Sequence, residues 1–147
     1  MNRELRTAGL GLLAVAAAGC APKQETRPNI ILILADDMGA ECLGCYGGIS
    51  YNTPHLDALA KRAIRYENMH ATPLSTPSRV QLMTGVYNDR NYVNFGYMND
   101  DEHTFAHLAQ RAGYSTAVVG KWQLGRSREM VGRLGFDEWC LTQLQIY

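Results

Sequence analysis

The sequence predicts an α/β fold with a largely parallel sheet flanked by helices, and three observations carry that expectation. "NIILILA", residues 29–35, is a continuous apolar run, the pattern of a strand covered on both faces. "YSTAVVG", residues 114–120, repeats that pattern. Between the two runs, apolar residues recur at helical spacing, so strands alternate with helices as in a parallel sheet.

The chain start is read apart from this fold. "MNRELR" is basic, "TAGLGLLAVAAAG" is a short apolar run, and small residues precede Cys20, which together make a secretory signal over residues 1–19. "AAGC" resembles the bacterial lipobox, which implies that Cys20 becomes the lipidated first residue of the mature protein. Residues 20–27 then form a polar tether, and 28–147 belong to the folded part. The expectation is an exported bacterial lipoprotein, held to a membrane by its lipid in the periplasm or at the cell surface. Plain secretion is the alternative.

The first strand ends abruptly in Asp36 and Asp37, at the carboxyl end where open α/β sheets build their sites. A glycine-rich connection leads to Thr53-Pro54, a helix start with threonine as cap and proline in the first turn. Leu56, Leu59, Ala60, Ala63 and Ile64 give that helix one apolar stripe. "RYENMHA", residues 65–71, predicts a short strand. A second helix is expected from Pro77, capped by Thr76, with Val80 and Met83 inward and Gly85 as its stop. After a polar loop, Phe105, Leu108, Ala109 and Ala112 mark a third helix that Gly113 ends. Lys121 lies just past the second buried strand.

Formal net charge is zero and 46 % of residues are apolar, so the chain has material for a core and no broad field for nucleic acid. With Cys20 set aside, Cys42, Cys45 and Cys140 remain. Cys42-x-x-Cys45 has no second pair to complete a zinc site, and small buried thiols or one disulfide is the simpler reading. His103 and His107 have zinc-like spacing without the glutamate of H-E-x-x-H. No G-x-S-x-G elbow is present, which disfavours a Ser-His-Asp hydrolase. Tyr46, Tyr87, Tyr92 and Tyr97 either line a sugar or aryl pocket or pack half-buried.

Ser75, just outside a helix N-terminus, would sit where unpaired N–H groups and the dipole favour an anion such as phosphate or sulfate. Arg79 in the first turn and Lys121 at a strand end would add cations. Asp36 and Asp37 offer hard oxygen ligands for Ca²⁺ or Mg²⁺, and an ion beside the hydroxyl would lower its pKa.

"STPSRVQLMTG", residues 75–85, resembles the sulfatase signature, a cysteine or serine followed by x-P-S-R and then T-G. "RPNIILILADDMG", "NTPHLDALAKRAIRYENMHAT" and "AGYSTAVVGKWQLG" are similar to the other N-terminal blocks of that family, in the same order, and the resemblance runs from Arg27 to about Trp139. It implies an alkaline-phosphatase-like fold of which this chain is the N-terminal part. It also implies that a maturase oxidises Ser75 to formylglycine, the serine type being matured by an oxygen-independent radical enzyme. One hydroxyl of the hydrated aldehyde attacks the sulfur of a sulfate ester and releases the alcohol; the other hydroxyl then loses its proton, and elimination expels sulfate and regenerates the aldehyde. In that scheme Asp36 and Asp37 match calcium ligands, with position 75 beside the ion. Arg79 matches the residue that supports formylglycine, and Lys121 a sulfate contact. The partners implied are a sulfated small molecule or glycan.

Two departures stand out. Where many members read G-K-W-H-L-G, this chain has Gln123, which hydrogen-bonds but cannot act as a general base near neutral pH. Family members are also much longer, and their further calcium ligands and substrate cations lie beyond these blocks. The alternatives are a phosphoesterase or phosphonate hydrolase with the same signature, and a non-catalytic lipoprotein that keeps the anion pocket.

Overall fold

The computed structural model describes residues 27–142 and 144. The expected signal, the Cys20 lipidation site and residues 20–26 of the tether lie outside the described residues. The chain divides after Ile33 into two units. In the first, residues 27–33 form no helix or strand, and Ile30, Ile31 and Ile33 are largely exposed. The strand expected at 29–35 is therefore not formed. An apolar run becomes a strand only when a neighbour takes up its backbone N–H and C=O groups, and no strand pairs with it among the described residues.

Besides two 3-10 turns at Ala40–Cys42 and Gly44–Tyr46, the second unit contains five α-helices and two strands among the described residues: α1 (Pro54–Ala60), α2 (Ser75–Thr84), α3 (Asn88–Asn91), α4 (Phe105–Arg111), β1 (Ala117–Lys121), α5 (Arg128–Arg133) and β2 (Glu138–Thr142). β1 and β2 pair in parallel, with Ala117 opposite Glu138 and Lys121 opposite Thr142, and α5 is the crossover between them. This βαβ unit is the expected α/β architecture in small form. β1 is less covered than its sequence predicts: Val118 packs on the core, whereas Val119 is 78 % exposed because only one face of the sheet is packed.

Val80 and Met83 of α2, Ala106 of α4, Met130 and Val131 of α5, and Trp122, Leu124, Leu134 and Phe136 around β1 build the core. Phe136 meets Trp122 and Phe105 edge-on, each pair of rings 6.1 Å apart. α4 departs from its predicted stripe, since Ala106 is its buried residue and Leu108 is exposed. α1 stops at Ala60, so Ala63 and Ile64 lie beyond it, and its Leu56 and Leu59 are exposed. Residues 65–71 form no strand, again for want of a partner. Among the described residues the thiols of Cys42, Cys45 and Cys140 form no disulfide.

His107 closes a capping box: its Nδ1 accepts from the Thr104 N–H at 3.1 Å, and its Nε2 lies 2.9 Å from the Arg133 carbonyl. With both ring nitrogens engaged by its own helix start and by the end of α5, His107 has a structural role, and the zinc-like spacing to His103 is incidental. α5 and β2 are joined to α4 and β1 by polar clips. Thr116 Oγ1 donates to the Gly135 carbonyl at 2.7 Å, and Asp137 accepts from Thr116 N–H and Gln110 Nε2, both at 2.8 Å. Gly135 takes φ 92°, and a Cβ there would stand 2.7 Å from the His107 nitrogen. Replacing Gly135 with alanine should lower unfolding free energy by about 2 kcal/mol or more, from left-handed strain plus backbone collision. Denaturant unfolding read by the buried Trp122 checks this; a loss below about 0.5 kcal/mol would contradict the packing described.

Candidate functional site

α2 starts two residues earlier than its sequence predicts. Leu74 is the cap in extended conformation and Ser75 is the first helical residue. Pro77 is tolerated at the third position because the N–H it lacks would have had no intrahelical partner. Thr76 does not cap the helix. Its fully buried hydroxyl accepts from the Gly96 N–H at 3.0 Å and lies 3.4 Å from the Gln123 carbonyl, an acceptor for its proton. The helix end is thereby tied to two distant segments. Gly85, with φ 68°, ends the helix as predicted.

Lys121, the last residue of β1, reaches this helix start. Its ammonium donates to Ser75 Oγ at 3.0 Å and to Asp36 Oδ2. Asp36 lies in a bend rather than at a strand end. Arg79 projects from the second turn of α2; its Nη1 donates to the Lys121 carbonyl at 2.7 Å and its Nη2 stands 3.6 Å from Asp36 Oδ1. One side chain therefore holds the strand end against the helix while sharing the carboxylate with Lys121. The side chains of Arg79, Lys121 and Asp36 are 12 %, 21 % and 28 % exposed, so the cluster faces solvent on one side only.

The hydrogen bond from Lys121 chiefly holds the Asp36 carboxyl below the usual carboxylate range; desolvation opposes this, while the Ser75 hydroxyl and the charges of Lys121 and Arg79 add to it. One carboxylate and two cations leave a single positive charge in excess beside Ser75. The first turn of α2 adds unpartnered N–H groups and the positive end of a ten-residue helix.

Asp37 follows in the left-handed region, with φ 54°. Its carboxylate makes no hydrogen bond or ion pair among the described residues, and the structure does not bring it onto Lys121 or Arg79. Among the described residues no group of three or more His, Cys, Asp or Glu could hold a metal. Two carboxylates and a hydroxyl supply hard oxygen donors, whereas Ca²⁺ takes six to eight. Asp36, Asp37 and position 75 thus fit a share of a divalent-ion site, with the other donors coming from elsewhere.

Gln123 also has φ 53°, is 5 % exposed, and its buried Oε1 has no hydrogen-bond partner among the described residues. A buried acceptor on left-handed backbone is a feature that clusters at functional sites. The sequence points to Thr76 only as a helix cap, not as a long-range tie. No local signal could have found it, because Gly96 and Gln123 lie 20 and 47 residues away.

The sulfatase family model matches residues 28–145. Among curated proteins, the chain is 41 % identical to an N-acetylglucosamine-6-O-sulfatase of Bacteroides thetaiotaomicron, over 99 % of this chain and 26 % of the relative. It is 38 % identical to the steryl-sulfatase of Rattus norvegicus, over 84 % and 25 %. A solved complex with D-glucosamine-2-N,6-O-disulfate, named there as the substrate, superposes with a TM-score of 0.69 at 39 % identity, over 78 % of this chain and 23 % of that one. The chain thus spans about a quarter of the length of the relatives it matches.

The Asp36 titration tests the charge arrangement. By carboxyl NMR its midpoint should fall below the ordinary value of about 3.9 and rise on Lys121→Met, more than on Arg79→Met. Because the folded value is depressed, the contact stabilises the fold above the unfolded value and that contribution fades as pH falls through the folded one. A midpoint unmoved by Lys121→Met would contradict the geometry.

Proposed function

We propose, because this chain belongs to the sulfatase family, that the protein it forms hydrolyses sulfate esters of carbohydrates at position 75. The observation that carries this reading is Lys121 Nζ, which joins Ser75 Oγ at 3.0 Å and Asp36 within one cluster. Arg79 secures that cluster by binding the Lys121 carbonyl. Solved and curated relatives act on sulfated sugars or sterols by name, and two of those from Bacteroides thetaiotaomicron are amino-sugar 6-O-sulfatases.

Members of this family generally use a formylglycine and a divalent metal. Here a maturase would make the formylglycine from Ser75, and Asp36 and Asp37 would hold part of a Ca²⁺ shell, with Mg²⁺ as the alternative. When present, these groups supply a nucleophile at sulfur and stabilise developing oxyanion charge. The chain's own residues do the rest. Lys121 and the α2 N-terminus attract and orient the sulfate group. Arg79 fixes the strand end that carries Lys121. Asp36 offsets part of the positive charge of Lys121 and Arg79 and holds both cations in place. Gln123 supplies a buried amide for a hydrogen bond and moves no proton. The basic start, the apolar run and the small residues before Cys20 support export as a lipoprotein anchored to a membrane.

The matured protein should release sulfate from an aryl sulfate faster than phosphate from the matched aryl phosphate. Lys121→Met should lower kcat/KM for the sulfate by about 10²- to 10³-fold. Phosphate released faster would overturn the reading. With Gln123 in place, the pH profile of kcat should have no limb from a histidine at this position. Gln123→His, tolerated because histidine is among the residues enriched in left-handed backbone, should add one near pH 6.5. An unchanged profile in that variant would place Gln123 outside the reaction.

A further inference from the structure

A second cavity adjoins this cluster through shared hydrogen bonds. It measures about 400 Å³ and lies between the turn Asn94–Tyr97 and the start of α5. Its walls include Phe95, Tyr97, Arg126 and Met130. A volume in this range, an aromatic lining and a few placed polar groups are what a small-ligand site requires.

The walls are built for a particular ligand. The Tyr97 N–H closes the turn on the Asn94 carbonyl at 3.3 Å, which holds Phe95 and Tyr97 at the rim, each more than one-third exposed. Arg133 and Asp100 neutralise each other. Arg126 makes no hydrogen bond or ion pair among the described residues and is exposed, so the cavity carries one uncompensated, always-charged fork of donors. A partly exposed aromatic rim beside the unpaired Arg126 guanidinium suits a hydroxylated ring that bears an anionic group.

The cavity is also tethered to the site. Gly96 in its wall donates to Thr76, the neighbour of Ser75. The Met98 N–H donates to the Leu124 carbonyl at 3.0 Å, one residue after Gln123. The turn that forms the wall is thus pinned at both ends to the segments carrying position 75 and Gln123.

We infer that this cavity is a second subsite, which binds a negatively charged sugar unit of the substrate through Arg126 and the Phe95–Tyr97 rim. This rests on the sulfated-carbohydrate reading above. The anionic group is a carboxylate or a further sulfate, since Arg126 pairs with either.

The test uses ¹³C-methyl methionine NMR of the 147-residue chain, because Met130 lines the cavity. Glucuronate, glucose 6-sulfate and glucose are titrated in turn. The two charged sugars should move the Met130 methyl, glucose should not, and whichever charged sugar binds tighter identifies the preferred anion. Arg126→Gln should weaken the charged sugars about tenfold or more. Arg126 is exposed, so its variant keeps the remaining methyl spectrum, and Tyr97→Ala, which removes a rim ring, should weaken both charged sugars as an independent check. Lys121→Met should leave the Met130 response in place. No response to either charged sugar, or a response untouched by Arg126→Gln, overturns the subsite. A response lost in Lys121→Met but kept in Arg126→Gln also overturns it, and assigns sugar binding to position 75 with the proposed function intact. Failure of the aryl sulfate assay, by contrast, would strike the proposed function while this titration still reports on the cavity.

Discussion

The Lys121 ammonium is the contact on which the site depends. It binds the Ser75 hydroxyl and the Asp36 carboxylate at once, and these two come from segments that no secondary structure joins. A lysine in this position is effective because its three donors diverge from a single charge. Arg79 makes the placement durable. By donating to the Lys121 carbonyl it fixes the backbone beneath the ammonium, and a cation on a long flexible side chain becomes a positioned one. Without Asp36 two cations would face each other nearly unscreened; with it the cluster keeps one positive charge beside the helix N-terminus.

The hydrophobic architecture serves this arrangement. The parallel pairing of β1 with β2 brings Lys121 to the end of a strand. Val80 and Met83 bury one face of α2, which orients its first turn toward that end. Thr76 then locks the two together, with a fully buried hydroxyl shared between Gly96 and Gln123. A lost partner here would leave a buried donor unsatisfied, a cost of about 1–3 kcal/mol. The same hydroxyl links the residue beside position 75 to the turn that walls the neighbouring cavity.

Much of this was legible in the sequence, and the misses have physical causes. The α/β class, the Pro54 start of α1, the Gly85 and Gly113 stops and the second strand follow from local chemistry, because proline and glycine act on adjacent backbone; Thr53 precedes α1 but its side chain does not cap it. The meeting of Ser75, Arg79 and Lys121 was also readable, from their positions at a helix start and a strand end; Asp36 joins them from a bend instead of the expected strand end, and Asp37 does not join them. Strand formation at 29–35 and 65–71 was over-read, since an apolar pattern records what a strand would bury and not whether a partner is there to pair with it. Thr76 was misplaced as a cap because the local rule is sound; long-range partners took the hydroxyl instead. α5 and β2 escaped notice for a different reason. α5 is only six residues long, and β2 has one partly buried position, too little for a period to register.

The central claim is that the side chain at position 75 becomes the reacting group beside Lys121. Peptide mass spectrometry of protein co-expressed with a radical-type maturation enzyme tests it most directly. The account predicts that the peptide carrying position 75 is lighter than its unmodified form by two hydrogens and forms a hydrazone with a carbonyl reagent. An unaltered serine there, in protein that hydrolyses an aryl sulfate, would contradict it.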